Sequence, residues 1–275
     1  MKDEPPAPRL ACVDGLPRTL DARVAVGTLR GVLRAWSLDD GRQLWCEARP
    51  CVDFDHVDGA LHVLRWTDAG PEVRVLDAAT GEVRGVARLE GLDGADALQG
   101  LRFVGGAYVT SIGALVLFRA QGGEPVAWSV GGSVASWACT ATTVCATTRD
   151  GSVNGFALGT LTRRWSREEF FATGVTSAGD TALVSTAAGD QDDASLVAID
   201  AVTGDVRWNN TAFGAVLCAD EEVTLVRRRR GWLAALDLRT GVARWQLRLP
   251  GEVLAGTQIA AGYAVLTGHA LVLLD

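Results

Sequence analysis

Ala198-Ile-Asp-Ala-Val-Thr-Gly-Asp-Val-Arg-Trp208 and Ala235-Leu-Asp-Leu-Arg-Thr-Gly-Val-Ala-Arg-Trp245 are two versions of one pattern. Each starts as an alternating apolar run and reaches an aspartate. It then turns through Thr-Gly and leaves on a second run that carries a tryptophan. Alternation at period two marks a half-buried strand. Glycine after threonine supplies the positive φ that a tight turn demands. The stretch therefore reads as a β-hairpin. Ala35-Trp-Ser-Leu-Asp-Asp-Gly-Arg-Gln-Leu-Trp45 repeats it, and Val75-Leu-Asp-Ala-Ala-Thr-Gly-Glu-Val-Arg-Gly85 keeps it with glycine where the tryptophan would stand. Phe118 through Trp128 and Ala157 through Trp165 are looser copies, the latter reading two residues short. The turn glycines Gly41, Gly81, Gly123, Gly159, Gly204 and Gly241 follow one another at 40, 42, 36, 45 and 37 residues.

Upstream of each motif lies a further hairpin, clearest in Val144-Cys-Ala-Thr-Thr-Arg-Asp-Gly-Ser-Val-Asn-Gly-Phe156. Four antiparallel strands in about 40 residues is the pattern of a propeller blade. Six motifs, plus one unit split between the ends, predict an all-β chain: a single seven-bladed β-propeller of four-stranded antiparallel blades, rather than six or eight, spanning 1–275 as one domain. The last unit, about 251–275, stops at Ala270-Leu-Val-Leu-Leu-Asp275, where the next turn would begin. Pro8-Arg-Leu-Ala-Cys-Val-Asp14 is a spare strand at the start, and pairing it on the last blade would close the ring and hide an open edge.

The bulk composition limits the functions on offer. Of 275 residues, 48% are hydrophobic, enough to bury a large core without disulfides or metals. The 32 glycines against 8 prolines suit many tight turns. A net charge of −7 argues against nucleic-acid and membrane-surface partners. No run of apolar residues has the length of a membrane span. The opening Met-Lys-Asp-Glu-Pro-Pro-Ala-Pro lacks the apolar core of a secretory signal, so a cytoplasmic location is expected. The six cysteines form no CxxC pair and read as buried thiols in a reducing compartment. His56, His62 and His269 have no metal-ligand spacing with them. GxSxG, HExxH and GxxxxGK[ST] motifs are absent from the sequence.

The unit Ala-x-Asp-x-x-Thr-Gly-x-x-x-Trp resembles the repeat of the pyrroloquinoline-quinone-like propellers. The resemblance implies that Trp45, Trp128, Trp165, Trp208 and Trp245 dock against the neighbouring blade. Quinone-dependent alcohol dehydrogenases of that family cover one face of their cofactor with a disulfide between adjacent cysteines, and this sequence has no Cys-Cys. No cofactor, metal or catalytic set is therefore expected. The family also includes a lipoprotein of outer-membrane β-barrel assembly; with no apolar leader before Cys12 the same role is not expected, and a protein-docking role of that kind stays open.

Two charged loops remain as candidates for function. Arg227, Arg228, Arg229 and Arg230 fall in the turn between the middle strands of the sixth unit, and Asp190, Asp192 and Asp193 in the equivalent turn of the fifth. Equivalent loops of a propeller emerge on one face, so the two would lie side by side. Trp66 falls at the same turn of the second unit, where an exposed tryptophan makes a good binding hot spot. Trp36, Trp137 and Trp232 fall outside the docking position and read as packing or ligand-stacking residues. The expected function is a non-enzymatic propeller that binds another protein or serves as a scaffold. The alternative is a quinoprotein-like enzyme or small-ligand binder using the central funnel.

Overall fold

The computed structural model describes residues 18–19, 24–29, 31–37, 39–40, 42–89, 99–111, 114–119, 126–128, 133–168, 170–187, 195–228, 231–259, 262–267 and 271–274. All their regular structure is antiparallel sheet, arranged as successive meanders. The first sheet runs Arg18–Thr19, Val24–Leu29, Val32–Ser37, Gln43–Pro50, and the second Asp53–Val57, Ala60–Thr67, Gly70–Asp77, Val83–Arg88. The third runs Gln99–Val104, Ala107–Ser111, Leu115–Arg119, Val126–Trp128, and the fourth Val134–Cys139, Thr143–Thr148, Val153–Ala157, Arg163–Arg167. The fifth runs Ala172–Ala178, Thr181–Thr186, Ser195–Asp200, Val206–Asn210, and the sixth Ala215–Ala219, Val223–Arg228, Trp232–Asp237, Ala243–Arg248. The last has Val253–Ile259, Gly262–Thr267 and Leu271–Leu274.

The expected ring of seven four-stranded blades needs correction. Among the described residues only five sheets, the second to the sixth, are complete blades with four strands of at least three residues. The first sheet has an inner strand of two residues, Arg18–Thr19, and the last has three strands. Counting turn glycines overstated the blades for a physical reason. Each glycine marks the hairpin between a third and a fourth strand, and it carries no information about whether the other strands are complete. The expected strand at 8–14 lies outside the described residues.

The sheets are held face to face. First strands of successive sheets lie side by side, as with Asp53–Val57 against Gln99–Val104 and Val134–Cys139 against Ala172–Ala178, and Arg18–Thr19 lies against Val253–Ile259. The second and third strands are the most buried, as in Thr143–Thr148, where every residue is buried. Burial collects at the seams between sheets. Val26, Leu33, Phe54 and Leu61 join the first and second sheets, while Leu183, Trp208, Val226 and Leu236 join the fifth and sixth. Each of the six seams between successive sheets has its own apolar cluster, so the core is a chain of clusters rather than one central mass.

Candidate functional site

The hairpin motif supplies the recurring chemistry. Its aspartate closes the turn. Asp200 Oδ1 accepts from the amides of Val202 and Thr203, both at 2.9 Å, and Asp77 Oδ1 accepts from Ala79 at 2.9 Å and Thr80 at 2.8 Å. The left-handed residue follows, at φ 74° in Gly81, 79° in Gly204 and 69° in Gly241. The other carboxylate oxygen takes an arginine from the fourth strand: Arg84 on Asp77, Arg207 on Asp200 at 2.7 Å, Arg244 on Asp237 at 2.9 Å. Arg207 also reaches Asp180 at 2.8 Å. The hydrogen bond from Arg244, backed by Thr240, holds the Asp237 carboxyl down to about 2. This arginine, one residue before the tryptophan or, for Arg84, before Gly85, was visible in the sequence at Arg84, Arg207 and Arg244. It pins the outer hairpin of its own sheet.

The fourth unit corrects the reading of its turn. Its left-handed residue is Leu161, at φ 51°, and not Gly159. The Leu161 amide donates to Ala157 O at 2.8 Å, as Gly204 does to Asp200 O and Gly241 to Asp237 O. Gly155 stands opposite Trp165 across the strands, as Ala198 stands opposite Trp208. The unit is therefore of full length, and only the glycine is displaced.

Three of the tryptophans carry a plug-and-socket joint. The indole Nε1 of Trp45 donates to Ala78 O at 3.1 Å, that of Trp165 to Ala201 O at 2.9 Å, and that of Trp208 to Leu238 O at 2.7 Å. In each case the acceptor sits in the turn of the next sheet. The turn glycine there has no room for a side chain: a Cβ on Gly81, Gly204 or Gly241 would lie 2.8, 2.7 or 2.6 Å from the ring of Trp45, Trp165 or Trp208. The strand partner of the tryptophan is small as well, at Ala35, Gly155, Ala198 and Ala235. Trp245 is half-buried and packs against Leu225, Leu233, Val253 and Val265. Trp128 pairs through its backbone with Leu115, and its side chain lies outside the described set.

The second sheet departs from this rule. Gly85 faces Val75, a larger residue, and offers no ring at the motif position to the third sheet. The seam is closed instead near the inner strands. Asp53 Oδ2 accepts from the Leu101 amide and Asp55 Oδ2 from the Phe103 amide, each at 2.8 Å. Buried His62 stacks on Phe103 with ring centres 4.3 Å apart, and its Nδ1 lies 3.1 Å from the Tyr108 hydroxyl. Burial pushes the His62 pKa below its ordinary value, opposed by Asp55 and reinforced by His56. On its other side the second sheet meets the first through buried Glu47, which takes Arg65 at 3.1 Å and Arg74 at 2.8 Å.

The candidate residues are scattered rather than gathered. Arg227 is half-buried and its Nη1 donates to Val253 O in the last sheet, a bond between sheets. Arg228 is exposed at the end of its strand. Arg229, Arg230, Asp190, Asp192 and Asp193 lie outside the described residues. Trp66 is half-buried against the cluster of Leu64, Val73 and Leu89. Trp36 is buried, and Trp137 donates to Ser111 Oγ at 3.1 Å. Trp232 is 37% exposed.

Four polar side chains of the described inner strands make bonds between sheets: Asp53 and Asp55 as above, Ser136 Oγ to the Val175 amide at 3.2 Å, Ser177 Oγ to Cys139 O at 2.6 Å. Among the described residues no three His, Cys, Asp or Glu side chains gather as a metal site. Burial raises the thiols of Cys139, Cys145 and Cys218 to about 12, which keeps them protonated and unreactive. No helix of the described residues is long and apolar enough to cross a membrane.

Repeats, seams and topology together define a β-propeller, similar in its repeat to the pyrroloquinoline-quinone-like propellers. Residues 149–274 match the family described as outer membrane protein assembly factor BamB. BamB from Moraxella catarrhalis is similar over 94% of this chain and 82% of its own, with TM-score 0.59 and 16% identity. The computationally designed Ika8 protein is similar over 93% and 95%, with TM-score 0.61 and 12% identity. At such identities the likeness is one of fold. No curated protein sequence matches the chain.

Proposed function

We propose that this propeller is a non-enzymatic protein-interaction module, a rigid scaffold whose partner is another protein. The match of residues 149–274 to an assembly factor carries the reading. Exposed apolar side chains near the strand ends, Phe171 at 68% and Trp232 at 37%, support it, because protein interfaces favour aromatic anchors. The proposal includes one domain over 1–275, with segment 8–14 pairing on the edge of Leu271–Leu274, and a cytoplasmic location, testable by Leu10→Pro stability and by cell fractionation.

The deciding experiment is cross-linking of the full chain in cells, followed by calorimetry with each purified candidate. A defined stoichiometry and a micromolar or tighter Kd support the reading. Tight binding of the quinone with calcium by the purified chain, with no protein partner surviving calorimetry, overturns it in favour of a cofactor enzyme.

A further inference from the structure

The end of the sixth sheet carries a triplet that its strands build by register. Trp232 stands directly opposite Arg228 on one neighbouring strand and directly opposite Arg248 on the other. Residues paired across antiparallel strands project to the same side of a sheet. One aromatic side chain is thus flanked on both sides by arginines, and all three are exposed. Arg227, the next residue along, projects to the opposite face and bonds the last sheet, so it stands apart from the triplet.

A concavity of about 660 Å³ adjoins it, lined by Arg248, Leu249, Pro250, Gly251 and Glu252. The Leu249 amide donates to Gly231 O at 2.9 Å, which ties this loop to the turn that presents Trp232. A Cβ on Gly231 would come within 2.4 Å of the Leu249 and Gly251 carbonyls, so the turn and the loop are fitted to one another. The triplet is therefore held on a rigid edge. Its charge opposes that of the whole chain, which is −7. Glu252 is the one acidic residue of the concavity's lining.

We propose that Arg228, Trp232 and Arg248 form the docking site for an acidic, extended segment of the partner protein. Carboxylates of that segment pair with the two guanidinium groups, and an apolar side chain covers the indole. Guanidinium forks suit carboxylates. The proposal rests on the protein-interaction reading above and adds the chemistry of the partner.

The test uses the full chain and a fluorescein-labelled twelve-residue peptide of alternating Glu and Leu, read by anisotropy. A Gln-Leu peptide and a single-stranded DNA of equal charge serve as controls. Binding of the Glu-Leu peptide alone is expected, weakening as salt is raised. Arg228→Ser with Arg248→Ser should lower affinity at least tenfold, and Trp232→Ser should do the same without changing the salt slope. The triplet is exposed, so circular dichroism of the variants should be unchanged. Equal binding of the Gln-Leu peptide, equal or tighter binding of the DNA, or variants that bind like the parent would each overturn the site. A partner identified in cells that binds the triple variant with unchanged Kd would overturn the site and leave the interaction reading standing. Absence of any partner would overturn both.

Discussion

The seam between the fifth and sixth sheets and the seam between the second and third do the same job by different means. At the first, Trp208 leaves the outermost strand and enters a slot over Gly241, with its indole bonded to Leu238 O. At the second, Gly85 offers no ring, and closure moves inward to Asp53, Asp55, His62 and Tyr108. One seam is fastened at the rim by a buried ring. The other adds polar bonds close to the inner strands to its apolar cluster. A repeat can thus lose its signature residue while neighbouring blades stay joined, provided that other groups satisfy the buried amides left along the seam.

The sharpest way to break the first kind is Trp208→Ala. It removes a buried ring, a hydrogen bond and the filling of the Gly241 slot. A loss of about 3–5 kcal/mol is expected from a large-to-small change of this kind, measured by urea denaturation. If the loss stays below about 1 kcal/mol, the rim joint is not what holds this seam. Next in size are the carboxylates of the second seam. Asp53→Ala and Asp55→Ala each strand an inner-strand amide and should cost about 1–3 kcal/mol. Hydrogen exchange should speed at Leu101 and Phe103 in the respective variants and stay unchanged around Trp208.

Smaller again is Tyr108→Phe, which removes one hydrogen bond worth about 1 kcal/mol. Its partner His62 gives the seam a pH signature. Burial lowers the folded-state pKa of His62, so below about 6.5 the unfolded chain takes up a proton that the folded chain resists. The contribution is fully present above that pH and is lost as pH falls toward the depressed folded value. His62→Gln should flatten this part of the stability profile, whereas Trp208→Ala should leave its shape alone. The smallest effect expected is a coupling. Gly85→Trp meets open space at its Cβ, but Val75 stands opposite, where Trp45, Trp165, Trp208 and Trp245 face alanine or glycine. Val75→Ala should therefore improve Gly85→Trp by about 0.5 kcal/mol more than it improves the parent, in a double-mutant cycle.

The repeat made the hairpins and the tryptophan spacing legible, because turn chemistry and period-two alternation are local. What stayed hidden depends on neighbours distant in sequence. Asp53 and Asp55 alternate with Phe54 like any solvent-facing pair, and only the adjacent inner strand shows that they accept amides. Leu161 escaped because a glycine stood two places earlier and drew the turn to itself. Leu161 is buried in the cluster with Val126, Phe156 and Leu158, and that packing offsets the roughly 1–2 kcal/mol an L residue gives up in the left-handed region. The number of complete blades was misread because the marker residues all belong to one hairpin. The charged loops were visible as charge, but Arg227 turned out to hold two sheets together, and the exposed arginine-flanked tryptophan emerged only from strand register.

The plug-and-socket joint also bears on how such a chain can change in copy number. The fifth blade carries both a socket for its predecessor, Gly204 under Trp165, and a plug for its successor, Trp208 over Gly241, so the joint runs head to tail. A whole unit can be duplicated or deleted between two such joints, and the new neighbours will still match. The second and third units are the exception. Asp53 and Asp55 of the second fit the Leu101 and Phe103 amides of the third, so these two units form a couplet that lineages can be expected to inherit together.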